Sequence, residues 1–141
     1  MSMNSKTYLV QDRKTVLSTL WIFVMLNMIF ADIYGFMYPG FLQGIMTGYA
    51  EGLEITGNLL LIAAVMTEIP IVMVLLSRVL SHPINRWVNI MASVITIVFV
   101  IGGGSTKPHY LFFASIEVAC MLFIIWYAWT WRKHEQQFKS S

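Results

Sequence analysis

Four runs of apolar residues, at 17–37, 55–80, 87–101 and 110–131, divide the 141-residue chain, and polar or glycine-rich stretches separate them. None of the runs alternates apolar and polar positions as a half-buried strand must. As a helix, each can cross a hydrocarbon layer roughly 30 Å thick, the third once it is counted from 83 to 103. Only helices and closed barrels satisfy the backbone in lipid. The pattern therefore predicts helices at about 15–38, 54–80, 83–103 and 109–132, a polar lead before them and a polar tail at 133–141. The first run is too long for a signal-peptide core and lacks a small-residue cleavage site.

The connections carry their own signals. Ser81-His82-Pro83 predicts a tight turn, with a cap at Ser81 or His82 and Pro83 in the first turn of the next helix. Between 39 and 54, Gly40, Gly44, Gly48 and Gly52 recur every four residues, with Phe41, Leu42, Ile45, Met46 and Tyr49 between them. That is too apolar for a solvated loop, and it predicts a short interfacial or re-entrant helix. A glycine-rich loop is the alternative. Gly102-Gly103-Gly104-Ser105-Thr106-Lys107 reads as a turn; no strand precedes it, and the Lys-Ser/Thr order of a phosphate loop is absent.

Composition narrows the class. The chain is 57% hydrophobic and 11% charged, against about 25% charge in soluble domains, and its mean hydropathy is +0.69. An all-α, membrane-embedded four-helix bundle forming one domain, 1–141, is the expected fold. The net charge of +2 offers no basic surface to a nucleic acid. The lone Cys120 cannot form an internal disulfide, which excludes thiol oxidases that need cysteine pairs. Lys6, Arg13, Lys14, Arg78, Arg86, Arg132, Lys133 and Lys139 lie toward one side and Lys107 toward the other, so both termini are expected in the cytoplasm.

The candidate chemistry is acidic. Glu68 falls near the middle of the second span, where a carboxylate costs roughly 2.5–3.5 kcal/mol to insert, and an intramembrane acid is a functional-site hypothesis by default. At 100° per residue Glu54, Gly57, Leu61, Ala64 and Glu68 share one face, and Pro70 frees the carbonyl of Met66. Asp32 lies in the outer half of the first span. Tyr110 and Glu117 share a face of the fourth, and Asn89, Ser93 and Thr96 form a stripe on the third. Glu51, Glu54 and His109 stand at the rim. If these faces converge, Asp32, Glu68, Glu117, Glu54, Tyr110 and Asn89 line an outward-opening acidic cavity without lysine or arginine at that depth. Its acids are either neutral hydrogen-bond donors or compensated by water or a cation. In the plainer alternative each one merely joins helices, and Asn27, Asn89, Ser93 and Thr96 suit that role better than a ligand's.

Other chemistries fit less well. His109 with Glu51 and Glu54 is the weak candidate for a metal site, since imidazole and carboxylates form an acceptable set without fixed spacing. His82, His109 and His134 stand at or beyond helix ends, so haem lacks axial ligands and no cofactor is expected. Motifs of intramembrane proteases are absent. Met25, Met28 and Met37 read as packing residues.

Leu17-Ser18-Thr19-Leu20-Trp21-Ile22-Phe23, Ala31-Asp32, Glu68-Ile69-Pro70-Ile71 and Asn85-Arg86-Trp87-Val88-Asn89-Ile90 resemble segments of small bacterial four-helix membrane proteins of uncharacterised function. More loosely, the chain is similar to the DoxX-like group, some members of which are associated with quinone or thiol redox systems. The resemblance implies a bacterial inner-membrane location and no reaction. The expected function is binding or transport of a proton, a metal cation or a cationic amphipathic small molecule. The alternatives are an enzyme or redox subunit acting on a quinone, isoprenoid or sterol-like ligand, and a structural partner subunit. The lipid bilayer is the expected partner, and a homodimer is open.

Overall fold

The computed structural model describes residues 5–139, with side chains from 7 to 131. The charges read from Lys6, Arg132, Lys133 and Lys139 lie outside the described side chains. In chain order the elements are α1 (Ser5–Met37), α2 (Phe41–Met46), β1 (Tyr49–Ala50), β2 (Leu53–Glu54), α3 (Gly57–Val79), α4 (His82–Gly102) and α5 (Pro108–Lys139). Four helices are long and apolar enough to span a membrane: α1, α3, α4 and α5. The fold is all-α in its spanning part, and the protein is a multi-pass membrane protein.

The predicted polar lead is already helical from Ser5. At 1.5 Å per residue the 33 residues of α1 measure about 50 Å, well beyond a 30 Å hydrocarbon layer. The overhang is tied down by Arg13, whose Nη1 donates to the Tyr127 carbonyl at 3.3 Å while the guanidinium stands 4.8 Å from the Tyr127 ring.

The connection after α1 departs from expectation. The short helix is present as α2, entered through Gly40 at φ 81°. It is followed by a two-stranded antiparallel hairpin that pairs Tyr49 with Glu54 and Ala50 with Leu53. Glu51 at φ 53° and Gly52 at φ 83° supply the two left-handed residues that a tight hairpin turn needs. Thr56 then turns extended and accepts a hydrogen bond from the Leu59 amide at 3.2 Å, so α3 starts at Gly57 and not at 54. Glu54 thus lies in a strand, off the helical face assigned to it with Glu68. At the other connection Ser81 precedes α4 and Pro83 sits in its first turn, as predicted.

The spanning helices run antiparallel in a square. Helix α1 packs on α3 and α5, α4 packs closely on α5, and α3 meets α4 more loosely. The start of α1, the end of α5 and the α3–α4 turn share one end, the terminal end; α2 and the hairpin occupy the other, the hairpin end. At the centre lie Leu17, Trp21, Val24, Met73, Met121 and Ile124. The periphery is large and apolar, with Leu61, Leu75, Val98, Phe112 and Trp126 all more than half exposed, as lipid contact requires.

Candidate functional site

Buried polarity concentrates near the terminal end, where the sequence pattern places no acids of the candidate cavity. Asn89 is fully buried and gathers three helices. Its Oδ1 accepts from Trp21 Nε1 at 2.7 Å across the α1–α4 diagonal and from Ser77 Oγ of α3 at 3.2 Å. Its Nδ2 donates to the Asn85 carbonyl and side-chain oxygens at 2.8 and 2.6 Å, and Asn85 Nδ2 donates to the Ser77 carbonyl at 2.6 Å. Beside this knot Ser18 Oγ donates to the Val74 carbonyl at 2.8 Å and accepts from Arg78 Nε at 3.0 Å. Asn89 is therefore interhelical glue. Its partners Trp21, Ser77 and Asn85 are not among the candidate site residues read from the sequence; a tryptophan and an asparagine at the same depth in different spans were the available signal.

The acids converge only in part: Asp32, Glu117 and Tyr110 lie near one another, whereas Glu68 and Glu54 do not join them. Asp32 is exposed on α1. Glu117 is 97% buried on α5 (3% exposed) and lies within electrostatic range of Asp32. Tyr110 is within range of both acids, yet its hydroxyl donates to the Val100 carbonyl at 2.7 Å and so clamps the end of α4. Glu54 is exposed in β2, paired with Tyr49. The rim set does not form a metal centre: Glu51 forms an ion pair with Lys107, and His109 packs against the Tyr38 ring at 5.6 Å. Among the described residues no group of three or more His, Cys, Asp or Glu is placed to hold a metal. The pairing of Glu51 with Lys107 also corrects the expectation that no basic residue meets the acids of the rim.

Glu68 occupies a different setting. It is exposed on the outside of the bundle, in a groove of about 530 Å³ between α3 and α4. Val65, Ile69, Val72 and Leu76 of α3 and Trp87, Met91 and Ile95 of α4 line the walls, at three- and four-residue spacings that put each set on one helix face. Glu68 is the only ionisable residue in this lining, and no ion pair or hydrogen bond to it is present among the described residues. It is the twelfth of the 23 residues of α3, close to mid-span. Pro70, two residues further along α3, is fully buried against the bundle. The arrangement is an apolar slot, open to the membrane, with one carboxyl halfway along it.

The chain matches no curated protein and no solved structure. Residues 6–137 match the model of a family of unknown function, DUF6326.

Proposed function

The chain belongs to that family, DUF6326, and from its residues we propose that it binds a cationic amphipathic molecule drawn from the bilayer, with the α3–α4 groove as the site and Glu68 as the counter-charge. One observation carries the reading: an unpaired carboxyl at mid-span in an otherwise apolar groove of about 530 Å³. That volume falls in the range of small-molecule sites. A carboxylate facing hydrocarbon is costly alone, and a partner that brings both a cation and an apolar body removes the cost while filling the slot. Trp87 adds an apolar aromatic wall at the terminal end of the slot for the molecule's hydrocarbon part.

The reading includes an orientation. Among the described residues Arg13, Arg78 and Arg86 lie at the terminal end and Lys107 at the hairpin end, which supports cytoplasmic termini and, with the membrane class, a bacterial inner membrane. A Thr47→Cys variant in a Cys120→Ala background should then be labelled by an impermeant maleimide from the outside of intact cells.

The test is equilibrium binding of a fluorescent long-chain alkylammonium probe to the protein in lipid nanodiscs. A charge-assisted contact is worth about 1.5–3 kcal/mol, so Glu68→Gln should weaken binding about 10- to 100-fold, and Met91→Trp should weaken it by filling the slot. Equal affinity of wild type and Glu68→Gln sinks the proposal. A neutral isoprenoid bound equally by both proteins would replace it with the lipid-soluble-ligand reading, and a dimer that blocks the probe would replace it with a second copy as the occupant.

A further inference from the structure

A second polar site lies inside the bundle, behind the α4 wall of the groove and independent of the function proposed for it. Ser93 of α4 is fully buried and Glu117 of α5 nearly so, and among the described residues neither Ser93 Oγ nor Glu117 Oε1 has a hydrogen-bond partner in the protein. Buried polar atoms are almost always satisfied, so two orphans in one membrane-spanning bundle call for an explanation.

The helix register places them together. Helices α4 and α5 are antiparallel, and Tyr110 bonds the Val100 carbonyl. Seven residues, two helical turns, separate Val100 from Ser93 and Tyr110 from Glu117. Ser93 shares the buried stripe of α4 with Asn89, Thr96 and Val100, and Glu117 shares that of α5 with Met121, Ile124 and Ala128. The two orphans therefore lie on the facing stripes of α4 and α5. Thr96 does not serve either, since its hydroxyl donates back to the Ala92 carbonyl at 2.8 Å. The ionisable groups around the pair are few. From α1 comes Asp32; from α5 itself come Tyr110, which is held by Val100, and Cys120, whose thiol is directed at the Leu20 carbonyl at 3.8 Å. Arginine and lysine are absent from this set.

We infer that Ser93 and Glu117 form a buried proton-binding site in which the Glu117 carboxyl and the Ser93 hydroxyl are bridged by bound water, with Asp32 as the exposed carboxyl through which protons reach it. A water between them would satisfy both orphans, as buried waters do with two to four polar partners. Proton loading interconverts a neutral acid and a carboxylate at Glu117: the water accepts from the acid or donates to the carboxylate, and the Ser93 hydroxyl stays bonded to that water in both forms, as donor or as acceptor.

Infrared difference spectroscopy of the full chain in lipid vesicles, on stepping from alkaline to acidic buffer, tests this. A carboxylic C=O band should appear that is missing in Glu117→Gln, retained in Glu68→Gln, shifted in heavy water and displaced in Ser93→Ala. Asp32→Asn should slow its appearance at least several-fold without abolishing it. A spectrum identical in wild type and Glu117→Gln overturns the site, and so does a band unmoved by Ser93→Ala. Should Glu117→Gln fail to fold, Ser93→Ala decides alone: a displaced band supports the site and an unmoved one overturns it.

Discussion

Removing the amide of Asn89 should be the most damaging single polar deletion in the bundle. In Asn89→Ala two interhelical hydrogen bonds disappear, from Trp21 at 2.7 Å and from Ser77 at 3.2 Å. Interhelical bonds in membranes average about 0.6 kcal/mol, so their direct loss is about 1.2 kcal/mol. The donors left behind cost more. Ser77 can turn its hydroxyl to a carbonyl of its own helix, but the Trp21 indole N–H, fully buried, has no such recourse. Stranding a buried donor costs about 1–3 kcal/mol, which brings the total to about 2–4 kcal/mol. Reversible unfolding in mixed micelles, with increasing denaturing detergent, measures it. The same measurement on Trp21→Phe and on the double variant closes a cycle. Because Trp21→Phe removes both that bond and the donor that would be stranded, Asn89→Ala should cost about 1.5–3.5 kcal/mol less in that background. A cost below about 0.5 kcal/mol for Asn89→Ala, or strict additivity in the cycle, would refute the claim that this amide holds α1, α3 and α4 together.

Three further outcomes concern the hairpin end. A Cβ at Gly104 would stand 2.7 Å from Tyr110 Cε1 and 2.8 Å from the Val100 carbonyl oxygen; Gly104→Ala should cost about 1–3 kcal/mol in the same assay, more than the roughly 1 kcal/mol of Tyr110→Phe. Gly52→Ala puts a Cβ on a residue at φ +83° and should lower stability by about 1–2 kcal/mol, read as a depressed thermal midpoint. Glu51→Gln removes the partner of Lys107 and should cost under about 1 kcal/mol, with the difference from wild type vanishing in high salt.

Much of the architecture was legible because lipid leaves the backbone few choices. Number, order and approximate limits of the spanning helices, the Ser81–Pro83 turn and the short helix after α1 all follow from apolar run length and turn chemistry. The hairpin escaped because Glu51-Gly52 lacks the asparagine or aspartate that marks a tight turn, so the helix after it was extended backwards over Glu54. The facing of Glu68 escaped for another reason. Helix α3 is the most apolar span, with mean hydropathy 2.6, and a helix that is apolar all round carries no periodic signal of which side meets its neighbours. Depth was readable and azimuth was not. On α4, where polar residues form a stripe, the reading of Asn89, Ser93 and Thr96 as one face agrees with their common burial.

The knot at Asn89 fixes how the α3–α4 pair can move. Ser77, Asn85 and Asn89 bind these two helices at one end, while nine residues separate Ser77 from Glu68, a lever of about 14 Å. Between fulcrum and carboxyl sits Pro70, which lacks the N–H that would stiffen the shaft. A tilt of about 5° around the fulcrum shifts the backbone at Glu68 by about 1 Å, with no bond of the knot broken. The slot is thus pinned at its terminal end, so a tilt of α3 changes its width most at the level of Glu68, and α1, on which α3 packs most closely, has to follow.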